Sequence, residues 1–161
     1  MNKRLRWLIL TLFIVVVDRI TKALIESRTI EGWHNEVIRN FIYLVHSKNP
    51  GIAFSIFANS QSPFLHFGLI ALSILFILAL AWLLFTSNSA TWRSLAGLSL
   101  LIGGAAGNLT DRIIHGAVTD FFEVWFGSYR YPAFNVADSA ITLGAILVLL
   151  DVLFPSREAQ N

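Results

Sequence analysis

The sequence has no cysteine in its 161 residues. That absence excludes disulfides, thiolate metal sites and a cysteine nucleophile. Charge is also scarce: Asp, Glu, Lys and Arg make up 14% of the chain, where soluble domains carry about a quarter. Hydrophobic residues reach 55% and the mean hydropathy is +0.64. So short a chain cannot hide that much apolar side chain in one soluble core, so a single integral membrane domain over residues 1–161 is expected. Nor is there a basic block beyond "NKRLR" at the start, with a net charge of only +2. That cluster suits anionic lipid headgroups or membrane orientation, not a nucleic-acid partner. His34, His46, His66 and His115 are scattered without metal-ligand spacing, and GxGxxG and Walker patterns are missing. Neither a metal nor an organic cofactor is expected.

What the chain does have is long apolar runs. Taking about 20 residues as one crossing, the spans fall at 6–25, 64–86, 93–114 and 136–154. The first opens on a charged stretch and "WLILTLFIVVV", followed by Asp-Arg where a cleavable leader needs small residues; it reads as a retained helix. Lys3, Arg4 and Arg6 before the first span, Arg93 between the second and third, and Arg157 after the fourth place both termini in the cytoplasm. The 1–2 and 3–4 connections then face outward. The first of these holds "NFIYLVHSKNPGIAFSIF", β-branched and aromatic residues around a Pro-Gly turn, which predicts a small hairpin or sheet. The second, "GAVTDFFEVWFGSYRYPAF", is rich in Phe, Trp and Tyr, residues that favour the membrane–water boundary. The expected fold is thus an all-α membrane protein of four transmembrane helices, with a small extracytoplasmic β-rich hairpin and an aromatic interfacial segment. Membrane lipids are its expected surroundings and a monomer its expected state.

Polar residues at membrane depth gather at the outer end. Asp18 and Lys22 lie four apart on one helix face, as do Asn108, Asp111 and Arg112, and Asn135, Asp138 and Thr142. Charges in membranes cost a few kcal/mol each and normally face a bundle interior or a wet cavity. Asp18–Lys22 and Asp111–Arg112 have the signs of structural ion pairs, and Arg19 reads as snorkelling toward headgroups. Gly103 and Gly107 match the small-xxx-small pattern of close helix packing. Asp151 falls at the cytoplasmic end, where solvation accounts for it.

Asp120 and Asp138 resist a structural reading, because neither has a base at helical spacing. Two poorly solvated carboxylates cannot both ionise cheaply: desolvation raises both pKa values and repulsion raises one further. A shared proton is what an aspartyl protease needs, one carboxylate activating water while the other protonates the carbonyl oxygen. Intramembrane carboxylates equally mark proton or ion pathways, and the residues by themselves leave both readings open.

The segments "VVDRITK" (16–22), "NPGIAF" (49–54), "GGAAGNLTDR" (103–112), "GAVTDFF" (116–122) and "FNVADSAI" (134–141) resemble, in order, the motifs of the lipoprotein signal peptidase (signal peptidase II) family. The resemblance spans the chain. It implies a bacterial inner-membrane aspartyl protease that removes signal peptides from prolipoproteins, cutting just before a diacylglyceryl-modified cysteine. By motif, it implies catalytic roles for Asp120 and Asp138, and supporting or substrate-contacting roles for Asn49, Gly51, Asn108, Arg112 and Asn135. Asp18, Lys22 and Asp111 are then structural. A transporter fits less well, since the second span has only His66 as a polar ring and polarity lies at one end. A serine–lysine peptidase would need a neutral lysine, and Lys22 sits beside Asp18. A purely structural membrane protein gives no reason for two unpaired carboxylates.

Overall fold

The computed structural model describes residues 4–51, 63–87 and 91–154. In chain order these form α1 (Trp7–Arg28), β1 (His34–Ile38), β2 (Ile42–Asn49), α2 (Pro63–Thr86), α3 (Trp92–His115), β3 (Val118–Phe126), β4 (Tyr129–Phe134) and α4 (Val136–Leu153). The four helices fall where the apolar runs predict them. Two, α2 and α4, are long and apolar enough to cross a membrane. The other two, of 22 and 24 residues, are each over 30 Å long at about 1.5 Å per residue, but carry more charged residues.

Helix α3 is the hub, packing against α4, α1 and α2. Its small residues make this possible. A Cβ on Gly104 would stand 2.4 Å from the Ala137 carbonyl oxygen and 2.7 Å from Ile141 Cγ1, so only glycine lets α4 come this close. On Gly103 it would meet Ile14 Cβ at 2.9 Å, as small-xxx-small packing predicts. Leu80 and Leu84 of α2 join Leu98, Leu101 and Ile102 of α3 in the apolar core. By contrast, the apolar side chains of α2 at Leu72, Leu75 and Leu78 point outward and stay exposed, which is the inverse of a soluble bundle. We expect Gly104→Ala to cost about 1–3 kcal/mol through overpacking, while Gly68→Ala, with nothing within 4 Å of the new methyl, is neutral or slightly stabilising. Thermal melts of the two variants check the contrast.

The chain is mostly helical, and the expected β-rich hairpin extends into a sheet that takes in the aromatic connection. All four strands pair antiparallel in the order β1-β2-β3-β4, so the aromatic 3–4 connection is itself a hairpin and shares a sheet with the 1–2 hairpin. Its rings pack on one another, with Phe122 and Phe134 centroids 5.9 Å apart and Tyr43 and Trp125 5.7 Å apart across strands. β-branched and aromatic side chains fit a pleated, half-buried surface, and interfacial preference alone concealed that. The β1–β2 hairpin turns at Asn40 (φ 55); the Pro-Gly pair follows β2, and the arm expected after it, from residue 52 on, lies outside the described residues. Gly116 (φ 74) ends α3 and Gly127 (φ 63) turns β3 into β4.

Candidate active site

The two aspartates are presented by different elements. Asp120 lies on β3 and is 4% exposed. Asp138 lies in the first turn of α4, where Asn135 is the N-cap in a capping box. The Asn135 side-chain oxygen accepts from Asp138 N (2.9 Å), and Asp138 Oδ2 accepts from Asn135 N (3.1 Å). This arrangement satisfies helix N-terminal donors reciprocally and fixes the Asp138 rotamer. Asn-Val-Ala-Asp carries that signature in the sequence, and periodicity alone overlooks it.

Both carboxylates line one cleft of about 290 Å³, together with Asn49, Asn108, Arg112 and the edge residues of β4 from Tyr131 to Phe134. Among the described residues, every carboxylate oxygen has one donor. Asp120 Oδ1 accepts from Asn135 Nδ2 (2.8 Å) and Oδ2 from Asn49 Nδ2 (3.2 Å). Asp138 Oδ1 accepts from Asn108 Nδ2 (2.8 Å), its Oδ2 being the capping oxygen. Three neutral amides thus orient two acids without neutralising them. Burial, and next the charge of Asp138, push the Asp120 carboxyl up to about 7; the Asn49 and Asn135 amides hold it down in part.

Arg112 and Gly51 frame the mouth. Arg112 Nη2 donates to the Gly51 carbonyl (3.1 Å), and Gly51 N donates to Asn49 Oδ1 (3.0 Å). The five residues expected to support the site therefore meet around it. Arg112 does not pair with its chain neighbour Asp111: its guanidinium goes to Gly51 at the cleft mouth, while Asp111 faces α1.

Asp111 pairs instead with Lys22, at 2.9 Å, and with Arg19, so Arg19 turns inward and does not snorkel. Lys22 is fully buried. Its ammonium meets Asp18 Oδ2 (2.8 Å), Asp111 Oδ2 and Asn108 Oδ1 (3.0 Å), one acceptor per hydrogen. Asp18 Oδ1 accepts from Ala137 N (3.0 Å) and Asp111 Oδ2 from Thr119 N (3.3 Å). The charged cluster therefore ties α1 to α3, to the start of α4 and to β3, and Asn108 links it to Asp138. Asp151 also has a specific task, accepting from Thr91 Oγ1 (2.6 Å) and from Ser94 Oγ across α3 and α4. Among the described residues, no three histidine, aspartate or glutamate side chains converge as a metal-binding group.

A polar cleft set over a bundle with outward-facing apolar side chains is the build of an enzyme that works in a membrane. A solved structure described as a bacterial membrane enzyme superposes with a TM-score of 0.82 at 29% identity, covering 92% of this chain and 87% of that one. A second, also a bacterial membrane enzyme, gives 0.81 at 29% identity over 94% of both. The family model described as signal peptidase II matches residues 10–154. A lipoprotein signal peptidase of Solibacter usitatus is 41% identical over 150 residues, 92% of this chain and 90% of the relative. One of Vibrio cholerae is 37% identical over 160 residues, 98% and 92% of the two. The chain belongs to the signal peptidase II family and is a peptidase, a hydrolase of peptide bonds.

Proposed function

We propose that the protein is an aspartyl endopeptidase that removes signal peptides from diacylglyceryl-modified prolipoproteins, cutting just before the lipidated cysteine. The observation that carries this reading is the pair Asp120 and Asp138 in one cleft, each oxygen held by a single donor and neither paired with a cation among the described residues. Names of the relatives supply the substrate class. In this reading α1 and α3 also cross the membrane, because Asp18, Lys22, Asp111 and Arg19 neutralise one another inside the bundle and so lower the cost of burial. Both termini are cytoplasmic, the cleft and sheet lie at the outer face of the bacterial inner membrane, and a monomer is sufficient.

The proton resides on Asp120, whose raised affinity suits it as the acid. Asp138 takes a proton from a water molecule as that water attacks the scissile carbonyl carbon. Asp120 gives its proton to the carbonyl oxygen. When the tetrahedral intermediate collapses, the C–N bond breaks and Asp138 returns its proton to the leaving amine, while Asp120 recovers its own from the hydroxyl. A helical substrate hides its carbonyls in internal hydrogen bonds, so the peptide must be extended at the cleft. Among the described residues β4 is the outermost strand of the sheet, and it lies along the cleft wall.

Two measurements on the purified chain in vesicles test this. A prolipoprotein carrying diacylglyceryl-cysteine is cleaved, whereas the same precursor without lipid is not; cleavage of neither, or of both equally, overturns the reading. The kcat/KM profile should also fall as pH rises through about 7, since the protonated Asp120 is lost there.

A further inference from the structure

A second polar cluster lies beside the cleft and takes no part in the chemistry above. Glu26, near the end of α1, accepts from Lys48 Nζ (2.5 Å) and from Thr119 Oγ1 (2.5 Å), while Lys48 Nζ also donates to Thr119 Oγ1 (2.8 Å). The three side chains close a ring between one helix and two strands. Lys48 and Thr119 are paired in register across β2 and β3. Each directly precedes a residue of the cleft: Asn49 follows Lys48, and Asp120 follows Thr119.

Successive side chains of a strand point to opposite faces. Asn49 and Asp120, diagonal neighbours on one face, meet through the 3.2 Å amide–carboxylate bond. Lys48 and Thr119 project from the other face onto α1. β2 ends at Asn49 and Pro50 follows, so the Asn49 side chain is carried by the last residue of its strand. Strand ends fray unless tied down, and Lys48, one residue before Asn49, ties this end to α1. Thr119 is pinned three more times: its N–H donates to Asp111, its carbonyl accepts from Asn135, and its side chain is fully buried.

We propose that Glu26, Lys48 and Thr119 form a positioning clamp that holds the end of β2 against β3, so that the Asn49 amide stays on the Asp120 carboxylate. None of the three touches the reacting atoms. The inference rests on Asp120 being the acid of the reaction.

The groups whose charge acts on Asp120 are Asp138 from α4, which raises its proton affinity, and Lys22 from α1, which lowers it. Arg112 from α3 lies in the same cleft. Lys48 acts through Asn49, whose amide favours the ionised form of Asp120. Releasing the clamp therefore raises the proton affinity of Asp120 and moves the alkaline limb of activity to higher pH.

The test uses the full chain in vesicles with lipidated prolipoprotein. Lys48→Met should lower kcat about tenfold with little change in KM, since misplacement of a reacting group is felt in the chemical step. Its alkaline limb should rise by about half a pH unit, the scale of one hydrogen bond. Asn49→Ala should give the same displacement, and the double variant should be no worse than Asn49→Ala alone, because the two changes remove one interaction. Lys48→Arg should recover most of kcat. Thr119→Val, which keeps the ion pair and the side-chain bulk, supplies a second reading if Lys48→Met fails to fold. A loss of kcat with the limb unmoved, or additive effects in the double variant, overturns the clamp. Carbon-13 NMR titration of Asp120 in wild type and Lys48→Met reads the same shift without any turnover. If wild type cleaves nothing, the proposed function fails; if wild type cleaves and neither limb nor titration moves, only the clamp fails.

Discussion

Asp120→Asn and Asp138→Asn each lower kcat for lipidated prolipoprotein by about 10²- to 10⁴-fold, the usual contribution of one positioned acid or base. KM changes little, since the cleft keeps its shape. In the Asp138 variant, the Asn side-chain oxygen can still accept from Asn135 N, so the α4 cap survives. Turnover near that of wild type in either folded variant rules out the two-carboxylate mechanism. The Asp120 change carries a second signature. In the unfolded chain the carboxyl titrates near its ordinary value of 3.8, and in the folded protein near 7. Below about 4 both states are protonated and burial of the group costs nothing extra. As pH rises from about 4 to 7 the unfolded state ionises first, and the folded protein loses stability. Above 7 that loss is complete. Asn at position 120 cannot ionise, so the variant should gain melting temperature relative to wild type at pH 8 and little at pH 4. Equal differences at both pH values contradict the raised proton affinity.

Lys22→Met is the substitution with the largest expected effect on stability. Removing the cation leaves Asp18 and Asp111 buried and facing one another without their shared ammonium. Breaking one partner out of a buried charge cluster costs about 3–5 kcal/mol, or a drop in melting temperature on the order of 10 °C for a chain of this size. The loss reaches the active site as well, because Asn108 accepts from Lys22 with the same side chain that donates to Asp138. Adding Asp18→Asn removes the excess negative charge, and the double variant should recover part of the lost melting temperature. Additive losses in the double variant would mean that the three charges act separately.

How much of this was legible in the residues depends on the distance over which the deciding interaction acts. The four helices are written in runs of apolar residues, and a local signal of that length survives any tertiary context. The candidate residues were legible through ordered motifs: Asp120, Asp138 and their amide neighbours fall together as expected. The strand character of "VTDFFEVWF" was present in its aromatic and β-branched content, yet the same rings also suit a membrane interface. Pairing with β2 decided between the two, and pairing partners 70 residues apart leave no mark in a local window.

The sequence by itself determined a membrane domain, because its excess of apolar residues has nowhere else to go, and it determined which carboxylates lack a local counter-ion. Only the tertiary structure decided the charge partners. Arg112, adjacent to Asp111, turns to the cleft mouth, while Arg19 and Lys22 from another helix take its place. Electrostatic energy depends on distance through space and on solvent exclusion, neither of which follows from order along the chain. That is also why the proton affinity of Asp120 is a property of the fold: it depends on burial by β3 and on an aspartate 18 residues away, brought into the same cleft.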